Sequence, residues 1–325
     1  MENKLQINLF SCGHRTHRFP FSVRMITELC NTKNIDKIRL CIHAEKPVIE
    51  AWQRYFSNIS PRFNIQLIVY PNSDYLSRVG IAQNTDCKYS CKLDDDVLIS
   101  RYVWDYLIDN LDKIDNHKTP ILSPILTNGM PSVDFFIKDF LNESDIKIAH
   151  DILLRGSITE NMWGLNYSKI NEKIRSMKNW DAREYWDFVS KVDTDWEKNN
   201  VPWHYFNVRG VHPSRFSYEY NMFIASKVFQ NQNKFFNKNE YYLDTFDAPY
   251  FTNNIFISET KYWKDTLSLF FDGWDEGQLS LRMLMDKSKI LYVRNGFGIH
   301  MAYGMTDRHM FIEQEYIKNL CTINM

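Results

Sequence analysis

The stretch Tyr89-Ser90-Cys91-Lys92-Leu93-Asp94-Asp95-Asp96 decides the fold, because a run of strand length ends in three consecutive aspartates. In open α/β sheets the functional crevice lies at the carboxyl ends of the strands. An acidic run in that position points to a sheet and to its working edge at once. Upstream, strand and helix alternate. Leu5 to Ser11 reads as a strand, Phe21 to Cys30 as a helix, Lys37 to Ile42 as a strand, Val48 to Phe56 as a helix, and Phe63 to Tyr70 as a strand closed by Pro71-Asn72-Ser73. A short helix from Tyr75 to about Gln83 leads back to the acidic strand. Such alternation predicts an α/β fold with a mixed, mainly parallel sheet and helices on both faces.

Downstream, a helix from Tyr102 to about Ile114 and a strand near Ile121 to Leu126 continue the pattern until it breaks at Gly129-Met130-Pro131. From about Ser132 to Thr245 the alternation is lost, and Trp163, Trp180, Trp186, Trp196 and Trp203 fall on what reads as helix and loop. This stretch is expected to be a largely helical subdomain packed through its rings, a wall for a carbohydrate or lipid-linked acceptor, or both. From Tyr250 the α/β style returns with a strand Ile255 to Ile257 and a helix around Lys261 to Leu267. A further helix carries Leu279, Leu281, Leu284 and Met285 at helical spacing, and a strand Ile290 to Val293 runs on to Gly298-Ile299-His300. The tail Asp307 to Met325 reads as helical.

Composition removes several classes of function. The 39 Lys+Arg against 40 Asp+Glu leave a net charge of -1, so there is no electrostatic case for a nucleic-acid binder or a basic membrane-surface protein. No stretch approaches the roughly 18 uncharged apolar residues that a spanning helix needs. Met1-Glu2-Asn3-Lys4 lacks the basic and then apolar layout of a secretory signal. A cytoplasmic protein is expected, with any contact at the inner face of a membrane peripheral. Of the six cysteines only Cys87 and Cys91 are close, without a second pair to complete a zinc site, which predicts buried free thiols. Aromatic residues make up 15% of the 325 residues, enough for a ring-rich core or for a surface that stacks on sugars and bases.

Three carboxylates at one strand end repel one another unless a cation or hydrogen-bond donors intervene. Alternation along the strand end lets Asp94 and Asp96 cooperate while Asp95 faces elsewhere. Hard oxygen ligands of this kind suit Mg²⁺ or Mn²⁺ that also holds phosphates. The competing explanation is a solvated loop with one helix cap.

The run Gly80-Ile81-Ala82-Gln83-Asn84, followed by Tyr89 to Asp96, resembles the core of the GT-A nucleotide-sugar glycosyltransferases, and in particular the family 2-like inverting enzymes. There a Gly-x-Ala-x-Asn helix precedes a strand ending in Asp-x-Asp. The resemblance implies a GT-A, Rossmann-like fold in which Asp94 contacts the donor ribose or base, Asp96 ligates the metal on the nucleotide diphosphate, and Asp95 and Asn84 belong to the donor site. Asp275-Glu276 ahead of Leu279-Ser280-Leu281-Arg282 resembles the acceptor-side Glu-Asp, then Leu-x-x-Arg, segment of the same enzymes. An acceptor hydroxyl attacking an anomeric carbon needs a base opposite the leaving diphosphate. This chain reads Asp-Glu instead of Glu-Asp, so the base is Asp275 or Glu276, with Asp275 favoured. The alternative is an acidic first turn of a helix. His300 resembles the C-terminal histidine with which many of these enzymes complete the metal shell. The loop Ser11 to Arg18 lies where the family wraps the donor, so that its arginines, Arg15 and Arg18, are expected at the diphosphate, and Arg78 just before Gly80 is a further donor contact.

The resemblance covers about Leu5 to Leu126 and Tyr250 to Met301. It implies residues 1–129 as a nucleotide-sugar-binding half, 130–248 as a helical, aromatic-rich insertion forming the acceptor region, and 249–325 as the acceptor and catalytic half with a C-terminal helix. The expected activity is a metal-dependent, hexosyltransferase-like transfer from a nucleotide-diphosphate sugar to a glycan or lipid-linked acceptor, with inversion, in surface polysaccharide or glycoconjugate synthesis. Two other classes compete. One is a carbohydrate-binding protein on the same fold without turnover. The other is an aspartate-based phosphotransferase, disfavoured because Leu98 stands where an Asp-x-Asp-x-Thr/Val strand end is expected.

Overall fold

The computed structural model describes residues 4–11, 18–58, 64–69, 79–80, 82–127, 140–155, 223–224, 226–228, 230–231, 233, 240–246, 254–269, 275–300 and 318. One nine-stranded sheet organises them. Its strands are β1 (Leu5–Phe10), β2 (Ile38–Ala44), β3 (Asn64–Val69), β4 (Tyr89–Asp94), β5 (Val97–Ile99), β6 (Ile121–Leu126), β7 (Tyr242–Phe246), β8 (Ile255–Glu259) and β9 (Ile290–His300). The spatial order is β3-β2-β1-β4-β8-β6-β9-β5, with β7 also on β9. Strands β1, β2, β3, β4, β6 and β9 share one direction, and β8, β5 and β7 oppose it. This is a Rossmann-like α/β fold with a mixed, mostly parallel sheet.

The helices are α1 (Phe19–Cys30), α2 (Lys46–Asn58), α3 (Arg101–Asp109), α4 (Glu143–Arg155), α5 (Thr260–Leu269) and α6 (Asp275–Asp286). In α1 the spacing of Phe21, Met25, Ile26 and Leu29 makes one apolar stripe, and Pro20 near the start fits a turn whose N–H groups need no partner within the helix. Ser100 caps α3 by accepting from the Val103 N–H, and Val103, Trp104, Leu107 and Ile108 face inward. Trp52 of α2 is fully buried and packs on Phe19, Tyr55 and Phe56, with ring centroids 4.8 to 5.7 Å apart. That ring cluster fastens α2 to the start of α1.

Two elements depart from the expectations drawn from sequence. Residues 242–246, within the span read as helix and loop, form β7 and pair antiparallel with β9, so this part of the span belongs to the sheet. Val97–Ile99 form β5 directly after the aspartates, pairing Val97 with His300. Strand β9 is a single element of 11 residues. Its ladder with β6 skips from Val293 opposite Pro124 to Phe297 opposite Ile125, and Asn295 adopts a φ of 61° inside the bulge. The expected helix from Tyr75 is seen only at Val79, Gly80 and Ala82, and most of the aromatic stretch and the tail from 307 lie outside the described residues.

The chain adds β2 and then β3 on one side of β1, and returns with β4 on the other. Strand order therefore reverses between β1 and β4, and in open α/β sheets it is outside the carboxyl ends at such a reversal that ligands bind. The register pairs Phe10 with Asp94, which brings the residues that follow each strand side by side.

Candidate functional site at the β1–β4 switch point

The aspartate run leaves the sheet at this reversal. Asp94 is the last residue of β4, and Asp95 and Asp96 form the turn into β5. The Asp95 N–H donates to the Phe10 carbonyl at 3.1 Å, so the turn is tied to the end of β1. The Ser11 hydroxyl donates to Asp95 Oδ2 at 2.8 Å. From the start of α1, Arg18 donates through Nη1 to Asp95 Oδ1 at 3.3 Å and to Asp96 Oδ2 at 2.8 Å. A single guanidinium nitrogen thus bridges two neighbouring carboxylates.

Asp94 is held separately. Lys92, two residues earlier on the same face of β4, donates to Asp94 Oδ1 at 2.8 Å. The Asn254 amide donates to Asp94 Oδ2 at 3.1 Å, and the Asp94 N–H donates to the Asn254 carbonyl at 2.8 Å. Burial pushes the Asp94 carboxyl up to about 6, with the Lys92 charge pulling it down and Asp96 adding to the rise. Arg18 and Lys92 are the two charged members among the largest fully buried side chains, beside Trp52, Trp104, Trp263 and Phe21. Both are committed to this acidic turn.

Three carboxylates therefore meet two internal cations and the Asn254 amide, the hydrogen-bond donors that an acidic run of this kind requires where no other cation stands. The three side chains do not share one set of partners, although the Asp96 charge acts on Asp94. Asp95 and Asp96 share Arg18, whereas Asp94 is cross-linked to the segment before β8. Asp95, 3% exposed, is an anchor of the turn.

The fourth partner comes from β9. Because β5 pairs with the end of that strand, His300 reaches Asp96, with Nε2 3.6 Å from Oδ1. Asp96 and His300, two of the expected metal ligands, are thereby brought together. Among the described residues no group of three or more His, Cys, Asp and Glu is gathered for a metal. Asp96 and His300 offer one carboxylate and one imidazole, a donor pair that suits Mn²⁺ or Mg²⁺ when phosphates and water supply the remaining shell. The chemistry of this pair fits such an ion, subject to Arg18, which already holds Asp96.

Other expected residues are placed less closely. Asn84 is exposed. The helix before it is anchored where the Ala82 carbonyl accepts from Gln6, level with Ser90 and not with Asp94, so Asn84 is not brought to the aspartates. The backbone of Asp275 and Glu276 begins α6, and their side chains, like Arg15 and Arg78, lie outside the described residues. Lys92 is the residue that sequence reasoning passed over, and Arg18, expected with Arg15 at a diphosphate, is found holding the aspartates. The signal for Lys92 was present, since a lysine two residues from an aspartate on a central strand must share its face and find an anion.

Below the site, one face of the sheet is polar. Gln6 donates to Asn8 Oδ1 at 2.9 Å, His43 Nε2 meets the same oxygen at 3.0 Å, and Asn8 donates to the Cys91 carbonyl at 3.3 Å. The His43 ring stacks on Phe10 with centroids 4.9 Å apart, so this network steadies the strand end that receives Asp95. At the opposite end of the sheet a cavity of about 630 Å³ is lined by Lys4, Lys37, Lys88, Asp86 and Asp109. It is remote from the aspartates. Among the described residues no helix is long and apolar enough to cross a membrane.

No protein-family model matches the sequence, and no curated protein matches it either. Among solved structures, a cytidylyltransferase from Leptospira borgpetersenii is 13% identical over 37% of this chain and 53% of its own, with a TM-score of 0.29. The apo-form glycosyltransferase GlyE of Streptococcus pneumoniae is 11% identical over 37% of this chain and 29% of its own, with a TM-score of 0.28. The chain thus spans about half of the first protein and under a third of the second. A 4-diphosphocytidyl-2C-methyl-D-erythritolsynthase from Anaerococcus prevotii is 10% identical over 97% of this chain and 96% of its own, with a TM-score of 0.43. Likeness of this size speaks to neither substrate nor chemistry.

Proposed function

We propose that this protein is a transferase that binds a nucleotide-diphosphate sugar at the β1–β4 crevice and passes the sugar to a glycan or lipid-linked acceptor. The observation that carries this reading is the meeting of Asp96 and His300, 3.6 Å apart, at the strand-order reversal of a Rossmann-like sheet. Asp96 and His300 would hold Mn²⁺ or Mg²⁺ against the diphosphate. The ion, when bound, supplies charge that stabilises the departing nucleoside diphosphate. Arg18 adds a second positive group at the same edge. Asp275 or Glu276, at the start of α6, would accept the proton of the acceptor hydroxyl, giving direct displacement with inversion.

The test is a thermal-shift panel of nucleoside diphosphates and nucleotide sugars with Mn²⁺, Mg²⁺ or EDTA, run on the wild type and Asp96→Ala. A metal-dependent rise with one nucleotide, lost in the variant, is the expected result. Absence of a shift with every nucleotide and metal would remove the donor-site reading and leave a structural role for the aspartates.

A further inference from the structure

We infer that Arg18 is the resident counter-ion of the Asp95-Asp96 turn, so that a divalent cation reaches Asp96 only in competition with this guanidinium. The inference rests on the reading of Asp96 and His300 as the metal-holding pair. It goes beyond that reading in stating how capture of the ion is made conditional.

The geometry sets up the competition. Arg18 is 2% exposed and bonds to Asp96 Oδ2 at 2.8 Å, while His300 faces Oδ1 of the same carboxylate at 3.6 Å. Guanidinium and imidazole therefore approach the two oxygens of one carboxylate from different elements, α1 and β9. A dication beside His300 would stand close to the Arg18 charge. Like charges a few ångströms apart in a buried site oppose one another strongly. Metal alone is thus disfavoured while Arg18 remains in place.

A diphosphate changes that balance. Guanidinium binds phosphate oxygens in the same forked manner as carboxylate oxygens, and phosphate has the greater charge. A nucleotide arriving with the ion offers Arg18 a new partner and the ion two or more oxygens in the same event. Metal and nucleotide then bind with positive coupling, each raising the affinity for the other by the same factor. Asp95 has a different part in the arrangement. Its carboxylate accepts from the Ser11 hydroxyl at 2.8 Å and its backbone N–H donates to the Phe10 carbonyl at 3.1 Å, so the turn keeps its shape when Arg18 shifts its bond from Asp96. Ser22 of α1, 3.3 Å from the Arg18 carbonyl and 3.5 Å from the Asp95 carbonyl, keeps the backbone of Arg18 at the turn while the guanidinium moves.

The experiment is calorimetric titration of MnCl₂, without nucleotide, into wild type, Arg18→Gln and Arg18→Lys, and again with the nucleoside diphosphate that gives the largest thermal shift. With Mn²⁺ alone, Arg18→Gln is expected to bind about 10–100-fold more tightly than wild type, because the competing charge is gone. Arg18→Lys keeps the charge and stays close to wild type. With nucleotide present the gap between wild type and Arg18→Gln closes. Should Arg18→Gln fail to fold, the double variant Arg18→Gln/Asp95→Asn, which removes one charge of each sign, carries the same expectation. Equal or weaker Mn²⁺ binding by the folded glutamine variant, with wild type still binding Mn²⁺ and nucleotide together, would overturn the inference and leave the proposed function standing. Failure of every protein to bind Mn²⁺, with or without nucleotide, would overturn both.

Discussion

His300 Nε2 stands 3.6 Å from Asp96 Oδ1 because Val97, the next residue after Asp96, is the cross-strand partner of His300. Strand β5 is only three residues long, yet it determines this meeting. Its antiparallel ladder brings the end of β9 to the turn that follows β4.

Replacement of His300 by alanine is expected to weaken Mn²⁺ binding in the presence of nucleotide by at least the roughly 10–100-fold that loss of an outer partner costs a metal site. His300→Phe, which restores volume without a donor nitrogen, should behave like the alanine variant. Calorimetric titration decides it, and a phenylalanine variant with wild-type affinity would reduce His300 to packing.

Lys92 and Asp94 form a buried pair at 2.8 Å, and removing one partner strands the other. Lys92→Met is expected to destabilise the protein by roughly 3–5 kcal/mol at neutral pH, and Lys92→Met/Asp94→Asn to recover most of it. The pH dependence has a definite sign. Asp94 in the fold titrates near 6, above its ordinary 3.8, so the proton it retains stabilises the fold at low pH and that contribution is lost as pH rises from about 4 to about 6. Without the Lys92 charge the folded value rises further, and the window extends upward. Urea unfolding at about pH 5 and about pH 8 should therefore show the greater loss at the higher pH. An equal loss at both would mean that the two groups are uncoupled.

Gly298 lies in the ladder between β5 and β9, opposite Ile99. A Cβ there would lie 3.0 Å from Leu126 Cδ2 and 3.3 Å from Ile99 Cγ1, so Gly298→Ala requires these two side chains to give by a few tenths of an ångström in a packed ladder. A loss of about 1–3 kcal/mol in chemical denaturation is expected. Metal binding should fall with it, since the crowding lies two residues from His300. Wild-type stability would show that both side chains rotate away without cost.

Glu28 gives an acid-range prediction away from the site. Burial raises its pKa above the ordinary 4.5, against the Arg101 N–H and the charges of Arg24 and Arg101 that lower it. Its Oε2 accepts from the Arg101 N–H at 2.9 Å and ties α1 to the start of α3. Above 4.5 the unfolded chain releases a proton that the fold still holds, so the Glu28 contribution declines as pH rises through the folded value. Glu28→Gln should remove that decline. Melting temperatures of the two proteins from about pH 4 to about pH 8 ought to converge, or cross in favour of the variant, as pH rises. Parallel curves would refute the assignment.

The central strands were legible because they are buried throughout and bounded by turn residues. The observed β1, β4 and β6 agree with the expected spans to within one residue. Strand β5 was hidden by its length, and β7 by its half-exposed pattern, since an outlying strand does not need a continuous apolar face. The aspartates, His300 and their position at a strand end were readable from order along the chain. The pairing of Arg18 with Asp95 and Asp96 was not, because it depends on the register of Phe10 with Asp94, which no local pattern encodes. The internal charges that meet the aspartates were hidden for the same reason, since they come from α1 and from inside β4.

Strand β8, inserted antiparallel between β4 and β6, also bears on how the protein is made. Among the described residues it is the strand that joins the half-sheet of β1 to β4 to the half that holds β6 and β9. A ribosome delivers β1 to β4 early and β8 only after residue 254. Throughout that interval the emerging chain presents the bare margin of β4, with its buried Tyr89, Cys91 and Leu93, to whatever strand passes by. An uncovered strand margin is a template for another chain, so β4 is the edge at which pairing between incomplete chains is expected until β8 covers it.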